Sequence, residues 1–186
     1  MKKSLLLLTI LFTFSSIFAQ ENQAVSVEKS IFGVQTGLLG IWGNNESRLT
    51  NQFSLRSEIG MDMGVLIGGN SDDGFVLIPV LRVEPRWYYN LEKRSSKGKS
   101  ISKNSGNFFT LSTTYNPDWF SLSNSDNIKV ISSIAIIPKW GIKRIYGKSF
   151  TFETGLGVGY IKSLNPNYDL LSDVGVDLHL RIGYTF

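Results

Sequence analysis

The sequence predicts an all-β fold, a single antiparallel up-and-down transmembrane β-barrel with eight strands as the expected number. Three observations predict it. Apolar residues alternate with polar or small ones through several stretches, at the side-chain period of a strand. Clusters of Gly, Asn, Asp and Ser punctuate those stretches. The last stretch, residues 173–186, sets Val174, Val176, Leu178, Leu180, Ile182, Tyr184 and Phe186 on one face. Its other face carries Asp173, Gly175, Asp177, His179, Arg181, Gly183 and Thr185. An apolar face opposite a polar one, ending on an aromatic, suits a strand set between lipid and a polar interior.

The chain has 186 residues. Met1, Lys2 and Lys3 form a basic start, residues 5–18 are apolar with scattered Thr and Ser, and Ala19 precedes Gln20. Residues 1–19 therefore read as a cleaved secretory signal peptide. The competing assignment is a membrane anchor, but the apolar run is short of the ~20 residues a spanning helix needs. No Cys stands near the cleavage point or elsewhere, so a lipid-modified Cys, a disulfide framework and a thiolate site are all excluded. Residues 20–30 form a short polar lead-in, and residues 31–186 are the barrel. The mean hydropathy of zero fits a barrel, which spreads its apolar residues by alternation.

The net charge is +4. Its densest basic run is Lys93, Arg94, Lys97, Lys99 and Lys103. No stacking platform or nucleic-acid motif accompanies the run, so it reads as a solvated loop and no nucleic-acid partner is expected.

Taken in order, residues 31–42 are Gly-rich and apolar, with Phe32, Val34, Thr36 and Leu38 outward. Residues 43–47 (GNNES) form a turn cluster. Residues 49–67 alternate, with Phe53, Leu55, Ile59, Met61 and Met63 on the apolar face. Residues 68–74 (GGNSDDG) are a turn. Residues 75–90 follow, ending in Trp87, Tyr88 and Tyr89, and then the basic loop 91–105. Residues 107–115, 128–145 and 150–161 are strands, and residues 164–172 form a polar loop into the last one. Seven segments are clear, whereas single-chain bacterial barrels have even strand numbers. Two placements of the eighth remain open. The favoured one is a short strand at residues 119–123, which puts the basic loop outside the cell. The other is a strand hidden near the N-terminus, which puts that loop in the periplasm.

The inward positions collect Arg56, Glu58, Asp62, Arg82, Glu84, Arg86, Lys139, Lys143, Glu153, Asp177, His179 and Arg181. Isolated buried charge is costly, so a mixed set of both signs is expected to pair into an ionic network that plugs the lumen. Trp42, Trp87, Tyr89, Trp140, Tyr160, Tyr184 and Phe186 are the expected interfacial aromatics. Asp177 and His179 share a face, and a carboxylate can orient an imidazole for general-base work. No activated Ser stands with them, so a satisfied interior His is the stronger expectation. A single His with scattered carboxylates lacks metal-ligand spacing. Residues 155–160 (GLGVGY) lack the Lys-Ser/Thr ending of a phosphate loop, and their glycines are read as relieving crowding.

The segments VQTGLLGIW, LRSEIGMDMG, EPRWYYNLEKR, IPKWGIKRIYG, FETGLGVGY and DLHLRIGYTF resemble small outer-membrane β-barrel proteins of the Bacteroidota. More loosely, the chain is similar to eight-stranded OmpA/OmpX-like barrels. The resemblance implies an outer-membrane location and a barrel, and no catalytic residue. The expected role is structural or surface-interacting, without catalysis or cofactor. Contacts are expected with outer-membrane lipid, with barrel-assembly machinery during insertion, and with surface ligands through residues 44–48, 91–105 and 164–172. An outer-membrane hydrolase using His179 and Asp177, and a narrow porin, are the alternatives. A soluble lipocalin-like barrel, with apolar residues inside, is the rival fold.

Overall fold

The computed structural model describes residues 25–66, 74–124, 130–165 and 174–186. The signal-peptide assignment, the turn at residues 68–73 and most of the polar loop at 164–172 lie outside them. Among these residues nine strands form: β1 Ser30–Gly37, β2 Gly40–Arg48, β3 Phe53–Leu66, β4 Gly74–Trp87, β5 Asn107–Asn116, β6 Leu122–Ser123, β7 Ser133–Tyr146, β8 Phe150–Ser163 and β9 Val174–Thr185. A short helix, α1 Leu91–Ser95, and a 3-10 turn, Ser102–Asn104, stand between β4 and β5.

Every pairing is antiparallel. The order runs β3-β2-β1-β9-β8-β7-β5-β4, and β4 returns to β3, so eight strands close into a barrel. Closure rests on β1 and β9, where Gly33 faces Thr185 and Gly37 faces Arg181. The extra strand β6 pairs with Val76 and Leu77 of β4.

The eighth barrel strand is therefore β2, not residues 119–123. The apolar run at residues 31–42 conceals a two-residue hairpin turn at Leu38 and Leu39. Gly40 leaves that turn at φ +147°, where a Cβ would lie 2.1 Å from the Met61 carbonyl oxygen. The supposed turn cluster at 43–47 lies inside β2, hydrogen-bonded to β1 and β3 on either side. Its outward residues Gly43, Asn45 and Ser47 carry no apolar signal, because neighbouring strands rather than its own alternation hold it in place.

The apolar faces point outward. Val176 and Leu178 are each 72 % exposed, while Arg181 on the opposite face is 5 % exposed. This is the inverse of a lipocalin-like interior. Trp87, Tyr89, Trp140, Tyr184 and Phe186 stand on the outer surface at the end that holds Val25 and the C-terminal Phe186, here the terminus end, and Tyr160 stands toward the other end. At the terminus end Trp87 stacks on Phe53 at 6.1 Å, and the Trp140 indole donates to the Tyr89 hydroxyl at 3.0 Å. Trp42 is a correction to the interfacial set. It is 3 % exposed and faces the lumen, because the hairpin at Leu38 and Leu39 sets its phase.

The strand count also moves the basic loop. Residues 91–105 lie across the terminus end, not at the end of the β1–β2 hairpin. Val27, Tyr88, Leu91 and Phe108 form a buried apolar cluster there. The Glu28 amide donates to Asn104 Oδ1 at 2.7 Å, and the Val27 amide to the Asn51 carbonyl at 2.8 Å. The lead-in is thus folded against the barrel end from Val25 onward, with Val27 1 % exposed. Among the described residues no helix is long and apolar enough to cross a membrane.

Candidate functional site

The alternation that turns apolar residues outward turns charges inward, and all twelve inward positions named from the sequence face one lumen. Its lowest layer, nearest the termini, is built on Glu46. This carboxylate is fully buried and accepts from Lys143 Nζ at 2.9 Å, Ser54 Oγ at 2.7 Å and Asn104 Nδ2 at 2.8 Å. Through Asn104 it ties the segment crossing the barrel end to the barrel wall.

The next layer is Arg86, Glu84, Glu153 and Arg56. The Arg86 guanidinium donates to both Glu153 oxygens, at 2.7 and 3.1 Å, and to Glu84 Oε2 at 2.6 Å. Its flat face lies 4.1 Å above the Phe108 ring centroid, which links the ionic layer to the apolar cluster. Arg56 donates to Gln35 Oε1 at 2.6 Å and to Glu58 Oε2 at 2.7 Å.

Glu58 joins this layer to the one above. It also accepts from Arg181 at 2.8 Å and from Arg82. Arg82 reaches Asp62 at 3.1 Å and Thr114 Oγ1 at 2.9 Å. Trp42 donates its indole N–H to Asp62 at 2.7 Å, and Arg181 lies 3.9 Å over the Trp42 ring. Lys139 bridges Glu84 at 2.6 Å and Asp177 at 3.0 Å.

The cations are Arg56, Arg82, Arg86, Lys139, Lys143 and Arg181. The carboxylates are Glu46, Glu58, Asp62, Glu84, Glu153 and Asp177. With His179 neutral the set balances, and every member has an oppositely charged partner within 4 Å. Balance and hydrogen bonding are what a buried ionic set requires, because each unpaired member would carry the full cost of leaving water.

His179 sits within this set. Its Nδ1 lies 2.9 Å from Asp177 Oδ1, and since a carboxylate only accepts, Nδ1 carries the hydrogen. Its Nε2 has no hydrogen-bond partner; the carboxylate nearest it is Glu153, at 3.7 Å. Thr154 Oγ1 donates only to the His179 backbone carbonyl, at 3.0 Å, and among the described residues no Ser or Thr hydroxyl is bonded to the imidazole, so the pair has an orienting carboxylate but no nucleophile beside it to activate. Among the described residues no group of His, Asp and Glu is arranged to hold a metal ion.

The glycines of β8 serve this packing. A Cβ on Gly155 would lie 2.7 Å from His179 Cε1, and one on Gly157 would lie 2.5 Å from Lys139 Cγ. The inward face of β8 is bare so that larger side chains from β7 and β9 can lie across it. Above the ionic layers the lumen turns apolar, with Val76, Val80, Ala135 and Ile137 buried.

Sequence reasoning missed Glu46, because it was read into a turn. The available signal was a faint alternation of Gly40, Trp42, Asn44 and Glu46. Asn104 and Thr114 had no signal, since their roles come from partners remote in sequence. No family model matches the chain, and neither a curated protein nor a solved structure matches it.

Proposed function

We propose that this protein is an outer-membrane β-barrel with a plugged polar lumen and a structural or surface-interaction role, not a catalyst. The observation that carries the reading is the inside-out distribution of residues: a largely apolar outer surface around a charge-balanced interior. Water-soluble barrels gain nothing from so large an apolar exterior, whereas lipid requires it. The long strands fit as well. Twelve residues in β9, at about 3.3 Å each and a tilt near 40°, rise roughly 30 Å, enough for the apolar band. The aromatics at the terminus end and Tyr160 toward the other end are then interfacial residues in contact with lipid.

On this reading residues 1–19 export the chain, and β9 with its terminal Phe186 is the strand offered to barrel-assembly machinery. The C-terminal Phe186, the lead-in from Val25 and the basic segment 91–105 face the periplasm. The turn at Leu38 and Leu39 then faces the cell surface, and residues 44–48 and 91–105 are no longer contact regions. The resemblance to small Bacteroidota barrels fits this placement. Pore function is disfavoured by the layered ion pairs and by the apolar cluster of Val27, Tyr88, Leu91 and Phe108 across one end. Hydrolysis is disfavoured by the lack of a nucleophile beside His179.

Two measurements test the reading. The mature chain should need detergent or lipid for solubility and should migrate faster in SDS gels before boiling than after. A protein that stays soluble without detergent and shows no such shift defeats the membrane placement. In planar bilayers it should give no steady conductance; sustained channels would defeat the plugged lumen.

A further inference from the structure

The outer wall is not uniform in relief. Between β1 and β4 it carries a depression of about 610 Å³, bounded by Phe32, Ile59, Leu81 and Val83. The four strands are paired without interruption through it, so no backbone edge is left open there. Its low points are outward positions held by small residues, Gly43 and Ser57. Beside them Phe32 and Ile59 stand proud, 60 % and 65 % exposed.

Nothing inside the barrel requires glycine at position 43. Gly37, Gly40, Gly60, Gly157, Gly159 and Gly183 face the lumen, and a Cβ on any of them would lie 2.1–2.5 Å from another part of the barrel. Gly43 faces outward, and a Cβ there would meet only the Ile59 carbonyl oxygen, at 3.9 Å. A glycine within a strand weakens it and often marks the close approach of a ligand.

The depression has the shape of a short trough. Phe32, Asn45, Ser57 and Val83 form one cross-strand row, and three strand spacings make it roughly 14 Å long. Along the strands it spans two residues, about 7 Å. One end lies among the terminus-end aromatics, where the Phe186 amide donates to the Phe32 carbonyl at 2.8 Å. The other end is four residues above the stacked Phe53 and Trp87, roughly 10 Å up the wall at a tilt near 40°. The polar groups gather at the lower end. There Asn45 donates to Ser30 Oγ at 2.9 Å and to the Ile31 carbonyl at 3.2 Å, and accepts from Ser47 Oγ at 2.8 Å.

We propose that this trough seats one acyl chain of a phospholipid of the periplasmic leaflet, with the ester region of the lipid at Ser30 and Asn45. A polar foot at the aromatic girdle and an apolar trough rising from it match the polarity of such a lipid end to end. The chain lies over Gly43 and Ser57 and touches Phe32, Ile59, Leu81 and Val83 on its flanks, so it makes dispersion contacts that a flat wall does not offer. The Ser30 hydroxyl accepts from Asn45 and directs its own hydrogen to an ester carbonyl. A helix, about 10–12 Å across, is too broad for the trough. A second barrel would present separate side chains rather than a continuous ridge.

The proposal rests on the membrane reading, and its test separates the two. The mature chain is placed in phosphatidylcholine nanodiscs containing a tracer phosphatidylcholine with a diazirine near the middle of one acyl chain. After irradiation, adducts are mapped by mass spectrometry. Leu180 is the control, since it is outward on β9, 52 % exposed, and four residues above Tyr184. Adducts on Ile59 and Val83 should exceed those on Leu180 at least fivefold. Gly43→Phe fills the trough from β2, and Ser57→Leu fills it from β3. In either variant that keeps its gel shift, the excess should vanish while adducts on Leu180 are unchanged. Equal yields at Ile59, Val83 and Leu180 in the parent chain overturn the lipid site and leave the membrane reading intact. An excess that survives both fillings also overturns it. A dimer in native mass spectrometry that Gly43→Phe abolishes, without excess lipid adducts, overturns it in favour of a second copy. Failure to enter the discs, or no adducts at any outward residue, overturns the membrane reading.

Discussion

Replacing Glu46 by Gln should strongly destabilise the barrel. Glu46 is fully buried and is the counter-charge within 4 Å of Lys143, itself 1 % exposed. Gln keeps one carbonyl oxygen for the hydrogen bonds from Ser54 and Asn104 but points an amide N–H₂ at an ammonium. A buried cation left without its partner costs about 3–5 kcal/mol, which is roughly two to four orders of magnitude in the folding equilibrium. The companion change Lys143→Met costs little charge balance of its own once Glu46 is also neutral, so the double variant E46Q/K143M should recover at least about 2 kcal/mol of the summed single losses. Reversible urea unfolding of the protein in lipid vesicles, followed by Trp fluorescence and the gel shift, measures all four corners of the cycle. If Glu46→Gln costs less than about 1 kcal/mol, or if the two single changes add, then the pair is not a desolvated ion pair and the layered account of the lumen fails.

Gly155→Ala should cost about 1–3 kcal/mol by overpacking, since its methyl would meet the His179 ring; pairing it with His179→Ala should return part of that loss in the same unfolding assay. Trp42→Phe removes the indole donor to Asp62 while leaving an aromatic surface under Arg181, and should cost about 1 kcal/mol; a change near zero would mean that this bond is not formed. Burial, with the Glu46 carboxylate adding to it, holds the Tyr88 phenol well above the ordinary tyrosine value. Its folded pKa is raised, so the stability it contributes is complete below the unfolded value of 10.0 and is lost only as pH rises through the folded one. In an absorbance titration of tyrosinate, one tyrosine should therefore stay silent until the barrel unfolds, and in Tyr88→Phe that late step should vanish.

The outward and inward faces of β3, β4, β7, β8 and β9 were legible in the sequence because each carries its own alternation. Phe53 against Ser54, or Leu178 against Asp177, sets the phase without reference to any neighbour. The twelve inward residues followed from the same phase, and so did the expectation that they would pair. β2 was not legible. After Ile41 its outward residues are small and polar, and Leu38 and Leu39 are apolar where a turn normally is not, so the strand and the hairpin were both hidden. That one omission displaced the eighth strand, moved the basic segment to the wrong end, put Trp42 on the wrong face and lost Glu46.

Alternation by itself determined that this chain forms a sheet with one apolar and one charged face, since a period of two is a property of single strands. Which face points outward is a property of closure, because only a closed wall has an inside. The partners of each charge are likewise tertiary: Lys143 and Glu46 are 97 residues apart and meet only across the lumen. The low stretch of wall at the β1–β2 hairpin belongs to the same class, since β1 and β2, at 8 and 9 residues, are shorter than β3 at 14 and β9 at 12 on either side, a relation among four strands that no single stretch of sequence contains.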